Sequence, residues 1–314
     1  MPRLSIVIPV LGHLKRLEDT LISVLENRPR DCQIVVVLNH CYDDPYDLRG
    51  EVCFVETAPA AGFAAAVNQG ITASRGAIVH LLTCGAEATP GWSDAALSRF
   101  DDPRVGAVAP LVLNRFPPRR VISAGLAFTA AGVIRRIGLG QEIERLAPLR
   151  DDFCGADTLA AFYRKSALEA IGRFPGGMAG PAAAVHVALE LRRARFRSVQ
   201  EFRSQAYAAP ELIADQSPFR RGLEAERLFW QWKPAHDWNL SLPRHAALAA
   251  WQCLESLYRP STACHLAGRL AGALRRKPRP HAESETPPAG AHPIGPPHFA
   301  RARQTNRTDA SLAE

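Results

Sequence analysis

The chain has 314 residues, 47% hydrophobic and 22% charged, which places it among globular proteins able to bury a full core. Its net charge is +7, of which residues 275–314, with seven Lys/Arg against four Asp/Glu, carry +3. The remaining surplus is too small to indicate a nucleic-acid partner.

The seven cysteines, at 32, 41, 53, 84, 154, 253 and 264, form no C-x-x-C pair and are odd in number. They indicate neither a zinc site nor a disulfide framework, and a reducing, cytoplasmic setting fits them. No apolar run approaches the ~20 residues that cross a bilayer. The opening run, Leu4–Leu11, is broken by Pro9 and follows a single Arg3, so it reads as a strand and not as a signal peptide.

In chain order, Leu4 to Val10 is a short β-branched run of the kind buried in parallel sheets. Leu14, Leu17, Leu21, Val24 and Leu25 recur at helical spacing. Gln33–Asn39 and Val52–Val55 read as strands, and Gly62 opens a small-residue helix to Ile71. Ala77–Leu82 is a fourth strand, Trp92–Phe100 a helix and Val105–Leu113 another strand. Residues 115–150, rich in Arg, Pro and Gly, suit a hairpin or an irregular insertion. Thr158–Tyr163 reads as a strand, Ser166–Ile171 and Ala182–Ala194 as helices, and Ser198–Ala208 as a returning edge strand.

Strands alternating with helices imply right-handed βαβ units and an open, mostly parallel α/β sheet. Ligands bind beyond the carboxyl ends of such strands, so the loops after Val10, Asn39 and Leu82 form the expected rim of a pocket. Three segments result: 1–208 as the α/β domain, 209–276 as a helical extension punctuated by Pro234, Pro243 and Pro260, and 277–314 as a tail. Seven prolines in the last 37 residues predict disorder there. The extension, with Phe229, Trp230 and Trp232, is expected to cover the domain or to meet a membrane surface or a partner protein.

These residues resemble the family 2 glycosyltransferases of the GT-A fold. The resemblance rests on Ser5-Ile6-Val7-Ile8-Pro9-Val10, Gln33–Val37, Gly62–Ile71 and Pro90-Gly91-Trp92. It continues through Gly155-Ala156, Arg164–Leu168, Ile171–Phe174 and Leu189–Ala194, all in the family's order over roughly the first 200 residues. It implies transfer of a sugar from a nucleotide diphosphate donor to an acceptor hydroxyl with inversion, serving surface or exported glycans. It also implies a Mg or Mn ion at a D-x-D-like pair ending the fourth strand, an Asp ending the second, and an acidic pair near residue 184 that takes the acceptor proton. A nucleotide sugar and a glycan or lipid-linked acceptor are the implied partners.

The acidic positions hold other residues here. Leu38 takes the place of the nucleoside-binding Asp, beside Asn39 and His40; Thr83, Cys84 and Gly85 take the metal positions; Ala183 and Ala184 take the base positions. Threonine and thiol are poor ligands for a hard cation, and a methyl group accepts no proton. Glu87 stands either as a weak metal candidate or as a solvated loop residue. His186 and Asp157 are the candidates for a relocated base, although His186 reads more readily as a partly buried helix histidine beside Val185 and Val187. Pro9, Val10, Asn39, Gly62 and Asn68 are the candidate nucleotide contacts. The leading expectation is a catalytically degenerate member that binds or scaffolds; the alternative is an active transferase without a tightly held metal, using Asp157 or His186 as base.

Overall fold

The computed structural model describes residues 2–12, 14–146, 153–214, 217–232 and 238–274. The predicted disordered tail, 277–314, lies outside them. The described residues belong to one compact unit, so the C-terminal helices pack into the same body as the sheet.

Strands β1 (Leu4–Val10), β2 (Cys32–Leu38), β3 (Val52–Glu56) and β4 (Ile78–Leu82) alternate with helices α1 (Lys15–Asn27) and α2 (Phe63–Ala73). All seven residues of β1 are buried, because helices cover both faces of the sheet. Helix α1 buries Leu17, Thr20, Leu21 and Val24, one stripe at 3.6-residue spacing. On the other face α2 lies close over β1: a methyl group on Gly70 would stand 2.3 Å from a Val7 methyl carbon, so only glycine fits.

After β4 come β5 (Ala86–Ala88), α3 (Asp94–Arg99), β6 (Val105–Asn114), β7 (Val121–Ser123), β8 (Leu126–Phe128), β9 (Ile134–Arg136) and β10 (Phe153–Gly155). Then follow β11 (Ala160–Arg164), α4 (Lys165–Ala170), α5 (Gly180–Arg193), β12 (Arg197–Ala208), α6 (Glu211–Ala214), α7 (Pro218–Trp232), α8 (Trp238–Ser256) and α9 (Pro260–Leu274). The main sheet runs β3-β2-β1-β4-β11-β6-β12-β5, with β7 on β6; β10-β8-β9 form a second, small sheet.

The half of the main sheet from β3 to β4 is parallel, as the βαβ pattern predicts. The other half is mixed: β11 enters antiparallel between β4 and β6. Strand β12, expected at the edge, is parallel to β6 and is capped at its far end by the short antiparallel β5. The 115–150 insertion supplies β7 and the β8–β9 hairpin.

Candidate functional site

The carboxyl ends of β1, β2 and β4 lie side by side, since Val10 pairs with Leu38 and Val7 with Leu81. Pro9 and Val10 are the last two residues of β1, and Val10 is buried. Leu38 is buried at the end of β2. Asn39 follows it, its Nδ2 donating to the Pro59 carbonyl at 3.5 Å, while its buried Oδ1 has no partner among the described residues. A hollow of about 430 Å³ beside this strand end is lined by Leu38, Tyr42, Asp44, Phe54 and Glu56.

At the end of β4 each residue is committed to the fold. Thr83 donates its hydroxyl to the Thr158 carbonyl at 2.8 Å and its N–H to the Leu159 carbonyl at 3.0 Å. Cys84 is buried, and burial pushes its thiol up to about 12 against the pull of the nearby Arg16 guanidinium. Gly85 has φ +95°, and its N–H donates to Thr20 Oγ1 at 2.8 Å. A side chain at Gly85 would meet Leu212 of α6 at 3.0 Å and the Arg16 Cδ at 3.2 Å. Glu87, on β5, is ion-paired with Arg115 at 2.7 Å, which also reaches Asp19 at 3.3 Å. Burial raises the Glu87 carboxyl, and Arg115 opposes that.

This set does not fit a divalent cation. A neutral thiol, an engaged hydroxyl and a carboxylate already held by arginine offer no cluster of hard oxygen ligands. Among the described residues no three His, Cys, Asp or Glu side chains gather closely enough to hold a metal ion.

Helix α5 buries Ala183 and Ala184 completely in the core beneath it. One turn on, His186 is half-buried; its Nδ1 accepts a hydrogen bond from Trp232 Nε1 at 3.4 Å, and its Nε2 lies 4.0 Å from Glu190. Asp157 is 1% exposed, with Oδ2 accepting from Arg136 Nε at 2.7 Å and Oδ1 facing the Leu159 N–H at 3.4 Å. The fold thus brings the Asp157 segment against the end of β4 through Thr83, and ties His186 to the C-terminal helices through Trp232.

Gly62 caps α2 with extended backbone and open space around its α-carbon. Asn68 clasps the Phe174 backbone from both sides, donating to its carbonyl and accepting from its N–H at 2.9 Å each. Arg16, Arg115 and Leu212, which surround the end of β4, were not singled out from the sequence. Only the tertiary fold carries them there, from α1, the 115–150 insertion and α6.

Comparison with known proteins agrees with this fold. The sequence pattern described as glycosyl transferase family 2 matches residues 5–172, more than half of the chain. A mannosyltransferase from Pyrobaculum calidifontis, solved with GDP-mannose and Mn2+, aligns at 20% identity, covering 87% of this chain and 86% of its own, with a TM-score of 0.48. GalNAc-T7, solved with UDP, GalNAc and Mn2+, aligns at 14% identity and a TM-score of 0.58 over 76% of this chain; the match spans about half of that protein, 49%. At such identities the likeness to GalNAc-T7 shows the fold. No curated protein matches the chain. With a family match over most of the sheet and a GT-A architecture around it, the chain belongs to glycosyl transferase family 2.

Proposed function

We propose that the chain is a glycosyltransferase-fold binding protein in which metal-assisted transfer has been lost. The ancestral reaction is nucleotide-sugar-dependent, inverting transfer to surface or exported glycans. What carries the reading is the end of β4, where Leu212 and the Arg16 side chain close over Gly85, Thr83 donates its hydroxyl to the Thr158 carbonyl, and no metal-binding cluster of side chains gathers among the described residues. Losing a general base costs roughly 10²–10⁴ in rate, and losing metal stabilisation of a leaving diphosphate adds several kcal/mol, order of magnitude. The buried Ala183 and Ala184 remove the first, and the Thr83-Cys84-Gly85 segment the second.

Nucleotide recognition is still supported at the neighbouring strand ends. The unpartnered Asn39 Oδ1 can accept from a base or a ribose hydroxyl, and the open space at Gly62 admits a phosphate-sized group. Asp157 and His186 are each engaged, with Arg136 and Trp232, which weighs against either acting as base. The reading places the protein in the cytoplasm or at the inner face of a membrane, with α8 and α9 as the contact for lipid or a partner. No helix among the described residues is long and apolar enough to cross a membrane, and no disulfide joins the seven cysteines.

Calorimetric titration of the full chain with GDP-mannose and UDP-GalNAc, with and without Mn2+, tests this directly. Saturable binding that Mn2+ leaves unchanged, with no nucleotide released on prolonged incubation, is the expected result. Mn2+-dependent turnover sinks it, and turnover abolished by Asp157→Asn or His186→Ala places the base at that residue.

A further inference from the structure

A cavity of about 320 Å³ lies where the β8–β9 hairpin, the start of α5 and helices α7, α8 and α9 meet. Its walls include Arg136, Ala182, Glu224, Gln252, His265 and Arg269. All four helices lie beyond residue 172, outside the family match. Its volume is at the lower end of the range, about 300–1,000 Å³, that holds small molecules.

Most of the charges on the walls are balanced by the protein, Glu255 by Arg259 at 2.8 Å among them, while Arg221 is exposed to solvent and has no ion-pair partner among the described residues. Arg136 is paired with Asp157 at 2.7 Å, Arg269 with Glu226 at 2.9 Å, and Glu224 Oε1 with Arg220 at 2.8 Å. What remains unmet among the buried groups is hydrogen-bond acceptance. Glu224 is 1% exposed, and its Oε2 has no partner among the described residues; the Ala179 N–H at the start of α5 bears on this carboxylate without closing a bond of ordinary geometry on Oε2. Gln252 Oε1 is likewise buried and without a partner. His265 Nδ1 lies 3.2 Å from the Pro218 carbonyl, which can only accept, so the proton sits on Nδ1 and Nε2 is an acceptor. Burial, and then the Arg269 charge, hold this imidazole below its ordinary pKa and so neutral at pH 7.

Buried acceptors without donors cost stability unless something fills them. A charged ligand would add a charge that the buried, already paired groups cannot balance, Arg221 being solvated, whereas hydroxyl groups satisfy acceptors without adding charge. We propose that this cavity binds a neutral, polyhydroxylated small molecule whose hydroxyls donate to Glu224 Oε2 and Gln252 Oε1. Identifying that ligand as a carbohydrate rests on the family reading above; its neutrality and its hydroxyl donors rest on the cavity alone.

The test titrates the full chain with D-mannose, D-glucose, N-acetyl-D-glucosamine and myo-inositol by ligand-observed NMR, with glucosamine and glucose 6-phosphate as charged counterparts. At least one neutral compound is expected to bind saturably and more tightly than the charged pair. Glu224→Gln and Gln252→Ala are each expected to weaken it by about tenfold or more. Gln252 is only half-buried overall, so its variant keeps the fold if Glu224→Gln does not. The proposal is overturned if none of the four neutral compounds saturates, if a charged counterpart binds tighter, or if binding survives in a folded variant unweakened. GDP-mannose binding, measured on the same samples, is expected to be unchanged by Gln252→Ala. Donor turnover by the wild-type chain would sink the non-catalytic reading and leave the cavity result standing.

Discussion

The fully buried His80 shows how a single side chain in this core sets a pH dependence. It lies on β4 with ring centroids 4.0 Å from Phe162 and 4.4 Å from Trp92, and neither ring nitrogen has a hydrogen-bond partner among the described residues. Burial lowers its pKa from 6.5 to about 3, the Ala161 backbone opposing only part of this. The folded value lies below the unfolded one, so the unfolded chain takes up the proton first as pH falls. Stability is therefore lost between pH 6.5 and about 3, at up to about 1.4 kcal/mol per pH unit. His80→Leu is expected to flatten that part of the urea-midpoint profile and to leave stability at pH 7 equal or about 1 kcal/mol higher, since an unsatisfied buried polar group is removed. An unchanged acid slope in the variant would show that other groups set it. Gly85 makes the second case. Restoring a carboxylate there by Gly85→Asp places a side chain at φ +95° against Leu212, costing about 1–3 kcal/mol in backbone strain alone. The variant is expected to melt lower than wild type and to gain no thermal stability from Mn2+; a Mn2+-dependent rise in Tm would reopen the metal site.

Among the elements, α7 and α9 are held together by contact between backbones. A methyl group on Gly222 would stand 2.0 Å from the His265 carbonyl oxygen, and one on Gly268 would stand 1.9 Å from that of Phe219. Gly268→Ala must push the helices apart, and since the obstacle is backbone the cost is expected at or above the about 1–3 kcal/mol of ordinary overpacking. Limited proteolysis should then cut within α7 to α9 while the sheet stays protected. Beside this contact, Glu226 accepts from His245, Trp230 and Arg269, at 3.0, 2.7 and 2.9 Å. Burial alone would raise its carboxyl; the His245 hydrogen bond and the Arg269 charge outweigh that and leave it below its ordinary value. Removing one partner by Arg269→Met strands a buried carboxylate and is expected to cost about 3–5 kcal/mol, with much of that recovered in the Glu226→Leu/Arg269→Met double variant. Elements of this kind were legible in the sequence only as helices. Leu228 and Phe229 mark a buried part of α7 by their apolar side chains, but nothing local says that Gly222 faces a carbonyl forty-three residues away. Strands β1, β2 and β4 were legible because helices cover both faces of the sheet and their runs are continuously apolar. The antiparallel entry of β11 was not, because Ala160–Arg164 is equally apolar whichever direction it runs.

For the molecule as a whole, the missing acidic residues were readable one by one, while their surroundings were not. Leu38, Gly85 and Ala184 declare themselves by position, but Arg115 reaches Glu87, and Glu224 reaches the start of α5, only through long-range packing. The same limit applies to the outer face of the C-terminal helices, which the sequence marks as apolar without saying what is left uncovered. On α8, Trp251 is 65% and Leu254 61% exposed, Tyr258 follows in the same stripe, and α9 ends on the exposed Leu270 and Leu274. Exposed aromatic and leucine stripes on amphipathic helices are a membrane-surface pattern, strengthened when basic residues adjoin. Here Arg275, Arg276, Lys277 and Arg279 follow α9 in the sequence. Each basic residue near an anionic surface contributes about 1 kcal/mol, screened by salt. The full chain is therefore expected to co-sediment with vesicles containing phosphatidylglycerol, to release as salt rises, and to bind pure phosphatidylcholine weakly. Trp251→Ser with Leu254→Ser should lower vesicle affinity about tenfold or more, because roughly 0.8 kcal/mol is lost per buried methylene equivalent. Binding to neither vesicle at low salt would assign this face to a protein partner, and binding that ignores both the charge and the two substitutions would place the membrane contact elsewhere on the chain.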